Sequence, residues 1–412
     1  MKLLLLTQYF PPEVGAPQNR LYELAVRLQQ RGIEVTVLTA MPNYPQMEIH
    51  AAYKGKSYHY EEMDGLKVHR SSIYVTKEKG IAKRLRNYFS FVWSSWRCGK
   101  SKLEKHYDYI LCESPPLFLG ISAWMLCRSK KAKLIFNVSD LWPESAEKLG
   151  LVTNKFFLGA ARKLEEGLYK RSTLITGQTQ GIVADIQRRF PHKTVYWLPN
   201  GVDLNYYRHD AQPQGWREKN NFAADDFLLL YAGIIGHAQG LEVILKAAHR
   251  LREHKGIHFL LLGSGPVKDE LLAMKAELQL NNVVFIDTVP KAEMPAIVAA
   301  ADAAVIPLRR LDLFKGAIPS KIFENLAMKK PIVLGVEGEA KELFIDQGKA
   351  GVFFTPENEE ELADAVLKLY HNPALRQELA ENAYHYVREK FNRDTIAEGL
   401  YQLLVKHSAK AQ

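Results

Sequence analysis

MKLLLLTQYFPPEVGAPQNRLYELAVRLQQRGIEVTVLT, residues 1–39, specifies the architecture of this chain. Lys2–Thr7 is a short and almost continuous apolar run, the pattern of a strand covered on both faces. After the loop Gln8–Pro17, the stretch Asn19–Arg31 sets Leu21, Leu24, Ala25 and Leu28 on one helical face, and Gly32 ends the helix. Ile33–Thr39 is a second short apolar strand. Strand, loop, helix and strand in this order make a β-α-β unit, and such a unit requires a parallel sheet.

The alternation continues through strand candidates Tyr109–Cys112, Lys133–Val138, Leu174–Thr176 and Val195–Leu198. Pro199–Asp203 is a turn signal, and the polar run to Asp226 marks a boundary between domains. Beyond it the pattern restarts, with strands at Phe227–Tyr231, Ile257–Leu262, Val283–Ile286, Ala303–Pro307, Pro331–Leu334 and Gly351–Phe354, and helices at Gly240–Leu251 and Val267–Leu278. With 412 residues, more than one core normally holds, the chain reads as α/β with two Rossmann-like domains, 1–200 and 201–390. Two such domains are expected to face each other across a cleft lined by the carboxyl ends of both sheets, where helix N-termini attract a phosphorylated ligand.

Composition narrows the class. At 47% hydrophobic and 25% charged residues the chain is an ordinary globular protein. Cys98, Cys112 and Cys127 have no metal-ligand spacing, and their odd number points to a reducing cytoplasm rather than a stapled secreted domain. The N-terminal apolar run stops after Leu6 without a cleavage pattern, and no apolar segment reaches the ~20 residues of a membrane span, so any membrane contact is expected to be peripheral. The net charge of +9 is uneven. Residues 1–200 carry 30 Lys and Arg against 17 Asp and Glu, and residues 201–412 carry 25 against 29. The first half should therefore face something anionic.

Neither a full GxGxxG dinucleotide fingerprint nor a Walker A string is present, which disfavours NAD or FAD oxidoreductases and P-loop nucleotidases. Gly15 lies in the loop after the first strand and permits close approach of a ligand. Gly233, Gly236, His237 and Gly240 follow the first strand of the second domain, and Gly263-Ser264-Gly265-Pro266 follows the next; each is a place for an anion or an ordinary turn. In Lys315-Gly316-Ala317-Ile318-Pro319-Ser320-Lys321, Ser320 is the expected N-cap of a helix. Lys315 and Lys321 place positive charge at that helix start, which is unfavourable unless an anion binds there. Glu324, one turn in, could bond ribose or sugar hydroxyls or compensate Lys321.

Ser139, Asp140 and Glu144 follow the strand candidate Lys133–Val138 of the first domain, where a carboxylate could orient or deprotonate an acceptor hydroxyl; Asp140 could equally cap the next turn. Trp142 could stack on a sugar or fill core. Lys77–Arg97 gathers Lys77, Lys79, Lys83, Arg84, Arg86 and Arg97 with Tyr88, Phe89, Phe91, Trp93 and Trp96, the composition of a helix lying on an anionic bilayer; a buried helix with basic flanks is the alternative. No nucleic-acid module accompanies it, and no clustered set of Asp, Glu and His predicts a metal site.

Taken together, QYFPPEVGAPQNR, TAMPNYP at 39–45, VSDLWPE at 138–144, PNGVD at 199–203, YAGIIGHAQG at 231–240, GSGP at 263–266 and IPSKIFENLAMKKPIV at 318–333 resemble the retaining glycosyltransferase family 4 of GT-B fold. The resemblance extends over nearly the whole chain and is strongest to the bacterial O-antigen, capsule and exopolysaccharide branch, including N-acetyl-L-fucosaminyltransferases and colanic-acid-type transferases. It implies a C-terminal helix at about 390–410 packing back on the first domain. It implies transfer of an N-acetylated hexosamine or deoxyhexosamine from a UDP-sugar to a lipid-diphosphate-linked saccharide, with retention and without a metal or other cofactor. The place of action would be the inner face of the cell membrane.

By that resemblance Gly15 lies near the donor phosphates, and Glu324 is the last Glu of the E-x7-E motif. Its first Glu is replaced by Gly316, so the amides of Ala317 to Ser320 are expected to meet the donor sugar. The family's Arg and Lys fall on Ile234 and Gln239, which leaves Lys321, Lys315, Arg309 or Arg310 for the leaving diphosphate, with Lys321 preferred. Ser139 stands where many relatives have His. The competing expectations are a GT-B sugar-nucleotide epimerase and a non-catalytic nucleotide-sugar-binding protein.

Overall fold

The computed structural model describes residues 1–13, 15–78, 80–148, 150, 152–211, 213 and 215–409. They divide into two compact units, Met1–Asn200 with Ile396–Gln412, and Gly201–Thr395.

The first unit holds an eight-stranded sheet made of β1 (Lys2–Leu6), β2 (Glu34–Ala40), β3 (Tyr58–Met63), β4 (Leu66–Ser71), β5 (Tyr109–Ser114), β6 (Lys133–Val138), β7 (Leu174–Gly177) and β8 (Val195–Trp197). Their order is β3-β4-β2-β1-β5-β6-β7-β8, and every pairing is parallel except β3 with β4. The unbroken apolar run of β1 follows from its central place. Leu3 and Leu5 pack with Leu21, Leu24 and Leu28 of the helix Ala16–Gln30, whereas Leu4 and Leu6 pack on the other face with Phe91 and Leu126. Ala397, Leu400 and Leu404 of the last helix, Arg393–Ala409, join the first of these cores.

The β3–β4 hairpin is absent from the sequence-based strand candidates. β3 is only half-buried and carries His59, Glu61 and Glu62, so no apolar run marks it. Its local signal is Asp64-Gly65, both with positive φ (47° and 78°), the residue pair that a two-residue hairpin turn requires.

The second unit holds six parallel strands: β9 (Phe227–Ala232), β10 (Ile257–Leu262), β11 (Val283–Ile286), β12 (Ala303–Pro307), β13 (Ile332–Gly335) and β14 (Gly351–Phe353). The order β11-β10-β9-β12-β13-β14 puts the first strand in the middle. The chain builds outward from β9 on one side, then crosses to build on the other. The loops leaving β9 and β12 therefore diverge at their carboxyl ends and leave a crevice.

Candidate active site

In the second unit the two glycine loops are built against one another. A Cβ on Gly263 would stand 1.9 Å from the carbonyl oxygen of Gly233, and one on Gly265 would stand 2.2 Å from that of Ile235. Only glycine allows this approach, and both residues have φ in the range that favours it (141° and 159°). The Ile235 amide donates to the Ser264 carbonyl at 2.9 Å and the Gly233 amide to that of Leu262 at 2.9 Å. These two amides hold the loops together, so they are not free to meet an anion.

The charge at this crevice comes instead from Lys321, the first residue of the helix Lys321–Ala327. Its Nζ lies 3.9 Å from the ring centroid of Tyr231, and a Cβ on Gly233 would come within 2.8 Å of it. Tyr231 is fully buried in β9 and donates its hydroxyl hydrogen to the Ile234 carbonyl at 2.6 Å. The ring face attracts the ammonium, and absence of a side chain at residue 233 leaves it room. Desolvation pushes the Lys321 pKa down to about 7, while the Glu324 carboxylate, one turn along the helix, pulls it up. Burial raises the pKa of Glu324, opposed by the charges of Lys291, Arg393 and Lys321 and by a hydrogen bond from Tyr207.

In the first unit a polar network crosses the carboxyl ends of β5, β6 and β7. Arg20 Nη2 donates to Glu113 Oε1 at 2.6 Å and to Ser139 Oγ at 2.8 Å, and Ser139 Oγ donates to Glu113 Oε1 at 2.5 Å. Asn137 also bonds Glu113, and Thr176 Oγ1 bonds Asn137 Oδ1 at 2.6 Å. The Arg20 and Glu113 side chains are 8% and 4% exposed, so the pair stands where screening is weak. Glu13 is a second buried carboxylate. It accepts from the amides of Phe10 (3.1 Å), Asn43 (2.8 Å) and Tyr44 (2.8 Å), tying the loop after β1 to the loop after β2, and burial raises its pKa. Among the described residues no group of three or more His, Cys, Asp or Glu side chains is placed to hold a metal, and no helix is long and apolar enough to cross a membrane.

Two family models cover most of this chain: residues 18–206 match Glycosyltransferase Family 4, and residues 214–386 match Glycosyl transferases group 1. The chain is a family 4 glycosyltransferase of GT-B fold. WcaI of Escherichia coli K12, named as a colanic acid biosynthesis glycosyl transferase, is 27% identical to it over 390 residues, 92% of this chain and 95% of WcaI. The O-antigen chain mannosyltransferase C of Escherichia coli is 21% identical over 399 residues, 96% of this chain and 95% of that protein. The solved structure of Anabaena Alr3699/HepE in complex with UDP and glucose superimposes with a TM-score of 0.72 at 18% identity, covering 98% of this chain and 99% of that one.

Several residues singled out by sequence have other duties in this glycosyltransferase. Ser320 does not cap the helix Lys321–Ala327 with its side chain. Its own backbone is helical (φ −59°, ψ −29°), which leaves its hydroxyl without the extended geometry that a cap needs. Ala317 donates its amide to Phe314 at 2.9 Å, so only the later part of the Ala317–Ser320 segment is left to reach a donor. Lys315 is exposed and pairs with Asp312 at 2.7 Å. Arg309 is committed to the His237 carbonyl (2.6 Å), Glu242 (2.7 Å) and Glu357 (3.2 Å), and thereby holds the Gly236–His237 turn. Arg310 lies 3.4 Å from Glu337. Of these cations, Lys321 alone forms no salt bridge among the described residues.

Asp140 is exposed and accepts from Ser145 Oγ at 2.7 Å, closing the turn after β6. Trp142 packs edge-on against Phe118 and Phe157 rather than standing free. A Cβ on Gly15 would meet Gln18 Oε1 at 2.4 Å, whereas one on Gly316 would meet nothing within 4 Å. Lys83, Arg84, Arg86, Trp93 and Trp96 lie on the helix Ile81–Lys102, and Lys79 is outside the described residues. Phe89 and Trp93 are exposed (45% and 56%), Phe91 is fully buried, and Trp96 is half-buried against the core. The amphipathic stripe is thus narrower than composition implies.

Arg20, Glu113, Asn137 and Tyr231 went unnoticed in the sequence. Glu113 had a signal, a carboxylate directly after the apolar run Tyr109–Cys112. Arg20 had none, since it looks like any solvated arginine beside a helical apolar face.

Proposed function

We propose that this glycosyltransferase moves an N-acetylated hexosamine or deoxyhexosamine from a UDP-sugar to a lipid-diphosphate-linked saccharide, with retention, in surface polysaccharide synthesis. The observation that carries it is the Lys321 ammonium on the Tyr231 ring, beside side-chain-free Gly233 and one turn from Glu324. A partly desolvated cation without a salt-bridge partner is stabilised when a diphosphate arrives, and more so as the leaving group gains charge. Glu324, bonded by Tyr207, is placed one helical turn away to accept from ribose hydroxyls. The UDP complex of the HepE structure supports the choice of base, and the names of WcaI and the O-antigen mannosyltransferase support the polysaccharide setting.

In the reaction the anomeric C–O bond to the diphosphate breaks and a bond to the acceptor oxygen forms on the same face. The acceptor proton passes to the departing phosphate oxygen. Lys321 meets the leaving charge, and this arrangement calls for no metal and no other cofactor. Peripheral attachment to the inner face of the membrane runs through the helix Ile81–Lys102, with Phe89 and Trp93 in the headgroup layer and Arg86 and Arg97 beside lipid phosphates. A screen of UDP- and GDP-sugars against lipid-diphosphate saccharides, with product linkage and anomeric configuration read by NMR, tests the proposal. Nucleotide release that does not depend on acceptor would overturn it.

A further inference from the structure

The first unit contains a cavity of about 390 Å³ lined by Tyr9, Tyr44, Asn87, Tyr88, Lys83 and Arg84, with Met47 and Thr76–Glu78 completing its rim. Tyr9 belongs to the loop after β1 and Tyr44 to the loop after β2, so the cavity opens at the carboxyl edge of the parallel sheet. Its size falls in the range of small-ligand sites, roughly 300–1,000 Å³.

The walls are fixed. Glu13 pins both tyrosine-bearing loops through the Phe10, Asn43 and Tyr44 amides, and the Tyr9 and Tyr44 rings meet edge to face at 5.9 Å. Gln8 donates to Asn87 at 3.0 Å, and Asn87 donates to the Tyr74 carbonyl at 2.6 Å. Of the four charged residues around the cavity, Lys77, Glu78, Lys83 and Arg84, three are cations. Lys83 pairs with Glu78 at 3.1 Å and Lys77 with Glu48 at 3.2 Å, but Arg84 makes no ion pair among the described residues. The helix that carries Lys83 and Arg84 has no acidic residue in its first turn, so its N-terminal field adds to theirs. Three phenol rings suit the C–H faces and hydroxyls of a sugar, and a free guanidinium beside a helix start suits a phosphoryl group.

We propose that this cavity is a subsite for a phosphorylated sugar, with the phosphoryl group on Arg84 and the ring between Tyr9, Tyr44 and Tyr88. The assignment rests on the transferase reading in taking the first unit as the acceptor side. Calorimetric titration of the full chain with glucose 1-phosphate, glucose, inorganic phosphate and UDP tests it. Glucose 1-phosphate should bind at least about tenfold more tightly than glucose or phosphate alone. Arg84→Ala should weaken it about tenfold, the scale of one charge-assisted hydrogen bond, with Arg84→Lys retaining part of the affinity and UDP binding unchanged. Tyr44→Ala should weaken glucose 1-phosphate but not inorganic phosphate. Equal affinity for glucose 1-phosphate and phosphate, or an unaffected Arg84→Ala variant, would overturn the subsite.

A competing short-chain prenyl diphosphate glucose distinguishes the source. If it displaces glucose 1-phosphate at lower concentration, the ligand is a lipid headgroup; if the free ester wins, it is a soluble sugar phosphate. Binding of glucose 1-phosphate by a protein that never turns over a sugar nucleotide would sink the transferase proposal and leave the subsite standing. The converse result would sink the subsite alone.

Discussion

Gly233 and Lys321 occupy one space: the position of a Cβ on the glycine lies 2.8 Å from the lysine Nζ, in a backbone conformation (φ 148°) that other residues resist. The Lys321 ammonium reaches the Tyr231 ring because residue 233 has no side chain. Lys321→Ala should lower kcat by about 10²–10³, the scale of one preorganised charge-stabilising donor, with a smaller change in donor KM. Gly233→Ala should lower it as well by displacing the lysine, and adding it to Lys321→Ala should cost little further activity. Steady-state kinetics of the two single variants and the double variant decide this; fully additive losses would separate the two residues.

The Lys321 pKa of about 7 gives donor binding a pH signature. In the free protein the side chain is mostly neutral above pH 7 and mostly charged below it. A bound diphosphate favours the charged form, so UDP binding at pH 8 should take up a proton, and at pH 6 it should not. Calorimetry in buffers of different ionisation enthalpy measures the uptake, and Lys321→Met should abolish it. Because the folded-state pKa lies below the unfolded value near 10.5, this lysine alone makes stability rise with pH between about 7 and 10.5.

Gly316 stands where the family motif has its first Glu, and open space surrounds it. Gly316→Glu should therefore fold with stability within about 0.5 kcal/mol of the parent, as surface substitutions do. Its effect should be on donor choice, read as the ratio of kcat/KM between UDP-sugars. A large drop in melting temperature would show that the space is needed by the fold.

The Arg20–Glu113 pair predicts an asymmetry. Glu113→Leu or Arg20→Met alone leaves a buried charge without its partner and should cost about 3–5 kcal/mol in urea unfolding. The double variant should recover most of that loss. Equal loss in all three would mean that Ser139 and Asn137 matter more than the opposite charge.

On the helix Ile81–Lys102 two tryptophans should behave differently although their rings are 5.0 Å apart. Trp93→Ser should weaken binding to anionic vesicles severalfold with little change in stability, because Trp93 is 56% exposed. Trp96→Ser should lower the melting temperature, because Trp96 packs on the core. Vesicle co-sedimentation and thermal unfolding of each variant provide the check; unchanged vesicle affinity of Trp93→Ser would remove the helix from the membrane contact.

What the order of residues alone determined was the alternation of elements. Runs such as Leu3–Leu6, Phe227–Tyr231 and Phe259–Leu262 are apolar throughout because both faces of a parallel strand are covered, and that requirement is local enough to read along one line. The glycines at 263 and 265 are visible there too, since backbone that approaches backbone tolerates nothing larger, and so is the glycine at 233, which leaves room for the Lys321 side chain.

Only the tertiary structure decided which charges are left for a ligand. Lys315, Arg309, Arg310 and Lys321 are all candidate cations in the sequence, with Lys321 preferred by resemblance alone; in the fold Asp312, Glu242, Glu357 and Glu337 claim the first three, and Lys321 lies on an aromatic ring. Arg20 and Glu113, 93 residues apart, meet only because a helix and a strand end are packed together. Burial and ion pairing depend on neighbours brought from distant parts of the chain, and no local pattern encodes them.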